Sequence, residues 1–291
     1  MIKECNMNHL FQIVDLAYEL NNKPESNSAF CFKDYEAIKD DFAYMINSNE
    51  NLVIGYFEDD NLVGVTGIVL DEMNKTADWI GPFIKNKEYI KIAKEMLEYA
   101  KIKLTNTNEF NFFFNCKNNI NKMFLEEING NYITNEFNLT LHRNTYRLKS
   151  EINTENEIRT DRIKDIEFLN THSSTVLPNT GESNFFGPPG KKVFYLTMKD
   201  ELIGYGTYNI WNNSERASIH MLRVMPEYIG NGYEEHLLKS LIQYIYKDSN
   251  IHTIGIVLEK KDETLLNICI KHGFEITADN YSYILTVRKN K

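Results

Sequence analysis

The sequence predicts an α/β (α+β) protein in which one domain is written twice. Three observations predict it. First, an acidic hairpin, Glu58-Asp59-Asp60-Asn61-Leu62-Val63-Gly64-Val65, returns as Met198-Lys199-Asp200-Glu201-Leu202-Ile203-Gly204-Tyr205, at an offset of 140 (204 − 64). Second, the same succession of extended and amphipathic stretches surrounds each copy. Third, the second copy carries the stretch Leu222–Leu238 (LRVMPEYIGNGYEEHLL), where a β-rich run gives way to a proline, two glycines and a helix.

Each copy opens with a hairpin: Leu52–Phe57 with Leu62–Leu70, and Val193–Thr197 with Leu202–Ile210. Short β-branched and aromatic runs joined by an acidic turn are hairpin grammar. The same offset carries Ala77 to Ala217 and Ile84 to Val224, so each copy has a third strand. An amphipathic helix follows. Ala93, Met96, Leu97 and Ala100 recur at helical spacing in the first copy, as do Leu237, Leu238, Leu241, Ile242 and Ile245 in the second. Next come a strand (Phe110–Asn115; Thr253–Leu258) and a helix (Asn118–Ile128; Asp262–His272). Gly130-Asn131-Tyr132 and Gly273-Phe274 then lead into a last strand. The period is too long for a solenoid. The polar seam Thr145–Thr160 places the boundary between domains 1–148 and 149–291.

Composition sets bounds on function. The chain has 291 residues, 42% hydrophobic and 25% charged, as in a globular protein of two ordinary domains. A net charge of −9, without a dense Lys/Arg block, speaks against nucleic acid. Cys5, Cys31, Cys116 and Cys269 form no CxxC pair, which fits a reducing cytosol and argues against a zinc knuckle. No run approaches the roughly 20 apolar residues of a membrane span, and MIKECNMNHL lacks a signal-peptide core. The expectation is a cytoplasmic protein without membrane or metal.

The glycine junction carries the chemistry. Amides at a strand–loop–helix junction have no partners within the helix and point outward. With the helix dipole they favour an anion, and glycine lets a phosphate come close to the main chain. At the 140 offset, Gly230 and Gly232 fall on Ile90 and Ile92, whose branched side chains would block such a seat. The first copy is therefore expected to bind no cofactor.

These residues resemble the GNAT family of acyl-CoA N-acyltransferases, duplicated in tandem. In that family the third long strand ends like L-x-V-x-P-E-Y, followed by R-G-x-G-x-G/A and a helix. Here the order is Leu222-Arg223-Val224-Met225-Pro226-Glu227-Tyr228, then Ile229-Gly230-Asn231-Gly232-Tyr233-Glu234, then Leu237-Leu238. A later N-x-x-A-x-x-L-Y-x-x-x-G-F is echoed by Asp262, Leu265, Ile268, Cys269 and Gly273-Phe274. The resemblance covers nearly all of Val193–Arg288 and, more weakly, Met1–Arg143. The departures are Ile229 for the usual Arg, Glu234 for a small residue, Asp262 for Asn, and Cys269 for the Tyr that often serves as general acid. A carboxylate at Glu234 suits the helix dipole but would repel a diphosphate unless it points away.

The resemblance implies two mixed, mostly antiparallel sheets flanked by helices, and an N-acetyltransferase that passes an acetyl or other acyl group from acetyl-CoA to an amine. The acceptor would be a small molecule or a peptide, and the protein a monomer or homodimer. Leu222, Arg223, Val224, Ile229, Gly230, Asn231, Gly232, Tyr233 and Glu234 would hold the donor. The candidates for proton transfer are Glu215, His220 and Cys269, each set against a plainer reading: a solvated turn charge, a half-buried strand histidine and packing. His172 and the loop Val176–Lys192, with Phe185 and Phe186, would border the acceptor. Other functions stay open: a non-catalytic tandem module binding CoA esters or a protein partner, a transferase using charged tRNA, or an unrelated phosphate binder. No GxxxxGK[ST] is present, which removes a P-loop.

Overall fold

Alternation along the strands and 3–4 spacing along the helices place the core. In the computed structural model, which describes residues 1–146, 158–160, 192–198, 201–210 and 215–287, β5 (Glu109–Asn115) buries Phe110, Phe112 and Phe114 while their neighbours stay half-buried. Helix α3 (Tyr89–Lys103) buries Tyr89, Ile92, Ala93, Met96, Leu97 and Ala100, one stripe at helical period.

The first compact unit comprises Met1–Glu136 with Asp279–Lys291. Its strands run in the order β1 (Ile2–Glu4), β2 (Leu52–Glu58), β3 (Asn61–Asp71), β4 (Thr76–Ile84), β5, β12 (Glu275–Thr286). All neighbours are antiparallel except β4 and β5. Helix α3 and α4 (Asn119–Glu127) cover one face through Trp79, Met96, Phe112 and Phe124. Helices α1 (Leu10–Asn21) and α2 (Tyr35–Asn47) cover the other through Ile13, Val14, Phe42 and Phe83.

The second unit is Phe137–Ala278. Its strand order is β6 (Asn131–His142), β11 (Thr253–Glu259), β10 (Arg216–Val224), β9 (Glu201–Ile210), β8 (Lys192–Met198), β7 (Ile158–Thr160). Here β10 and β11 form the parallel pair. Helices α5 (Tyr233–Ile245) and α6 (Glu263–Lys271) supply one face of the core with Leu237, Leu238, Leu241, Ile242 and Cys269.

The repeat is exact in register, with one break. Thr76–Trp79 pair with Glu109–Phe112 as Arg216–Ile219 pair with Thr253–Ile256. The offset is 140 on β4/β10 and 144 on β5/β11. From α3/α5 onward it stays 144: Tyr89 matches Tyr233, and Asn131 matches Glu275. The four extra residues lie between Val224 and Tyr233, against the shorter step from Ile84 to Tyr89. This corrects the sequence alignment. Ile90 and Ile92 do not stand in for the glycines; they lie inside α3, opposite Glu234 and His236, and the first unit lacks the glycine turn altogether.

The boundary at 148/149 follows the chain, whereas the compact units divide it differently. Residues Asn280–Thr286 of β12 pair with Asn115–Glu109 of β5 in the first unit. The matching half of β6 lies beside β11 in the second. The two copies have exchanged their last strands. The two strands differ in sequence but hold equivalent places in the two copies, so each edge still meets a strand.

Candidate active site

Strand β10 shifts register against β9 between Ile219 and Met221, leaving His220 as the extra residue of a β-bulge. Its pairing with β11 stops at Ile219↔Ile256, while both strands continue. They part, and a groove of about 250 Å³ opens between them. His220, Met221 and Leu222 line one wall, Ile256 to Glu259 the other, and Lys261, Asp262 and Leu265 close the end. Asp262 also caps α6, accepting from the Leu265 amide at 3.1 Å, as Asn118 caps α4 from Asn121.

Beyond Val224 the chain makes a 3-10 turn, Pro226–Tyr228, then the glycine loop. Gly230 and Gly232 hold φ of 80° and 82°, the left-handed region that favours glycine. A Cβ at either would meet no atom within 4 Å, so each glycine leaves its backbone open toward solvent. Gly232 is the N-cap of α5 and offers no side-chain cap to the first-turn amides. Tyr228 steadies the loop: its hydroxyl donates to Glu201 at 2.7 Å, which with the nearby charge pushes its pKa up to about 12. Its ring also packs edge-on against Tyr233 at 5.7 Å.

Of the predicted donor residues, Leu222 lines the groove, Ile229, Gly230, Asn231 and Gly232 lie exposed in the loop, and Arg223 and Val224 separate the two along the chain. Glu234 does not point away. Its Oε1 accepts from the Gly230 amide at 3.2 Å. The signal for this bond was a carboxylate in the first helical turn, four residues after the glycine.

The three proton-transfer candidates fall in different places. His220 is exposed at the bulge, with Nε2 2.8 Å from Asn209 Oδ1. An amide oxygen only accepts, so this contact suits the tautomer protonated at Nε2. Glu215 lies just before β10, at the end remote from the groove; its carbonyl accepts from His252 and Thr253 at 2.7 and 3.1 Å. Six residues of strand, about 20 Å, separate it from Met221. Cys269 is sealed in the core of the second unit, and burial pushes its thiol up to about 12. Neither Glu215 nor Cys269 lines the groove. His172, Phe185, Phe186 and most of the loop Val176–Lys192 lie outside the described residues.

The first unit treats the same place differently. Strand β4 also bulges against β3, and its pairing with β5 stops at Trp79↔Phe112. There the connection between α1 and α2 moves in. Ser28 bridges to Phe114, and the Ala29 amide donates to the Phe113 carbonyl at 2.7 Å. Because β12 occupies the other edge of β5, these bonds lie on the side β4 has left. Asn21, Asn27 and Asn118 pin the segment: Asn21 Oδ1 accepts from Ser28 N and Asn27 Nδ2, and Asn118 Nδ2 donates to Asn27 O. Sequence reading missed this plug, since nothing in local periodicity marks a polar linker as a strand partner.

Comparison with known proteins gives the fold a context. Residues 157–274 match the pattern of the Acetyltransferase (GNAT) family. No curated protein matches the chain. Among solved structures, a GCN5-related N-acetyltransferase from Sphaerobacter thermophilus superposes with a TM-score of 0.74 at 8% identity, covering 100% of this chain and 96% of that one. A tandem GNAT protein from the clavulanic acid biosynthesis pathway gives 0.67 at 10% identity, with 100% and 99% covered. An acetyltransferase of the GNAT family from Colwellia psychrerythraea gives 0.56 at 13%, with 99% and 100% covered. At these identities the likeness is one of fold. Both units, tandem and mostly antiparallel, have the GNAT architecture.

Proposed function

We propose, from the premise that residues 157–274 carry the acetyltransferase (GNAT) pattern on a tandem GNAT fold, that the second unit transfers an acetyl group from acetyl-CoA to an amine of a small molecule or peptide. The single observation that carries this reading is that one strand supplies both a groove wall and the glycine loop. Strand β10 lines the cleft beside β11 with His220, Met221 and Leu222 and leads, after Val224 and the Pro226–Tyr228 turn, into the left-handed Gly230 and Gly232 before α5. Amides there suit a diphosphate, and the groove's Leu222, Ile256 and Leu258 suit a pantetheine arm.

The chemistry needs little from the protein. The amine nitrogen bonds to the acyl carbon, the C–S bond breaks, and the thiolate leaves. Holding both partners in one groove supplies much of the rate. A backbone amide near Leu222 or Arg223 stabilises the charge that develops on the acyl oxygen. His220 takes the amine's proton, because it alone of the three candidates stands at the groove. We assign Cys269 to packing and Glu215 to the strand end.

The first unit binds no donor in this reading, since its loop is four residues shorter and its groove is plugged. One observation favours a second reading, a non-catalytic module that binds CoA esters: the Glu234 carboxylate already sits on the Gly230 amide. Acetyl-CoA titration followed by a free-thiol assay across a panel of amines separates the two. Thiol release with at least one amine supports the enzyme. Binding without release across the panel supports the module, and absence of binding rejects both.

A further inference from the structure

The loop that would receive a diphosphate is already engaged by an anion of the chain itself. Glu234 Oε1 accepts the Gly230 N–H at 3.2 Å. Glu234 and Glu235 are neighbours on α5 with different partners. Glu235 is held by Lys271 at 2.7 Å and by His272 at 2.9 Å, which keeps its carboxyl below the usual range. Glu234 instead turns back over the loop. In the first unit the matching residue is Ile90, so this carboxylate is a feature of the copy that has the glycines.

Resting on the donor-binding reading above, we infer that Glu234 is a donor-specificity residue, an internal competitor for the phosphate seat of the Gly230–Gly232 loop. The reasoning is chemical. A carboxylate and a phosphate are both acceptor-only groups, and the Gly230 N–H points at one of them at a time. If Glu234 stays, two anions share a small volume and repel. If it leaves, its charge-assisted bond to the amide is lost. Either way the penalty falls on donors that place a phosphate at the loop. A thioester of pantetheine without phosphates occupies the groove beside Leu222 and escapes it. Glu234 therefore narrows the preference for CoA thioesters over phosphate-free pantetheine thioesters. It acts on donor affinity, touches no reacting atom, and stands apart from His220.

The test is calorimetric titration of the full chain, as wild type, Glu234→Gln and Glu234→Ala, with acetyl-CoA and with S-acetylpantetheine. The Gln variant keeps the shape and removes the charge, so it stands even if the Ala variant folds poorly. The expected result is acetyl-CoA bound about tenfold more tightly by both variants, with S-acetylpantetheine changed less than about twofold. Unchanged or weaker acetyl-CoA binding in the variants, beside a wild type that does bind, overturns the inference and leaves the donor-binding reading intact. Equal tightening of both ligands also overturns it, since the effect would then not be at the phosphates. If no form binds acetyl-CoA, the donor-binding reading falls and this inference with it.

Discussion

The Ala29 amide donates to the carbonyl of Phe113 at 2.7 Å, on the edge of β5 from which β4 has departed. In the second unit the matching edge, on β11 beyond Ile256, borders the groove. One fold thus carries a filled cleft and an open one. The expected consequence is a single acetyl-CoA per chain. Titration calorimetry should return a stoichiometry of one, and two equivalent sites would contradict the plug.

His220 stands at the bulge where β10 leaves β11. His220→Gln keeps a polar side chain of similar reach and removes the basic nitrogen. Once an acceptor is found, kcat should fall about 10²-fold while the KM for acetyl-CoA stays within about twofold. A drop confined to that KM would assign His220 to binding instead.

Gly232 sits at a φ of 82° with open space where a Cβ would go. Gly232→Ala should cost about 1–2 kcal/mol through backbone strain alone, read by urea unfolding. The added methyl would stand where a phosphate approaches, so acetyl-CoA affinity should drop further than stability does. Equal affinity in wild type and variant would place the phosphates elsewhere.

Leu285 lies near the end of the chain yet is 6% exposed in the core of the first unit, two residues from Tyr283, which stacks on Phe114. Leu285→Ala should destabilise that unit by about 2–5 kcal/mol. Hydrogen exchange should rise in β4 and β5 before β10 and β11. The reverse order would mean that the last strand belongs with the second unit.

Asp41 on α2 is half-buried, and burial raises its carboxyl to about 6. A folded pKa above the unfolded one near 3.9 means the folded state holds the proton more tightly. Stability therefore falls as pH rises from about 4 to about 6, then stays level. Asp41→Asn should stabilise by about 2 kcal/mol at pH 7.5 and by little at pH 4. Chemical unfolding at the two pH values checks it, and equal differences would show Asp41 solvated.

Much of this protein is legible in its sequence because much of it is local. Strand alternation, the stripe of Leu237, Leu238, Leu241 and Ile242, and the left-handed turn at Gly230 and Gly232 follow from backbone sterics and burial within a few residues. The duplication shows because both copies kept the hairpin around Gly64 and Gly204. Three things depended on tertiary structure. The four-residue step between offsets is invisible while only the hairpin and third strand anchor the alignment. The exchange of β6 and β12 leaves no local trace, since either strand offers the edges of β5 and β11 the same backbone donors and acceptors. The Ala29–Phe113 and Glu234–Gly230 bonds were settled by geometry, because a backbone donor pairs with whichever acceptor the fold carries to it.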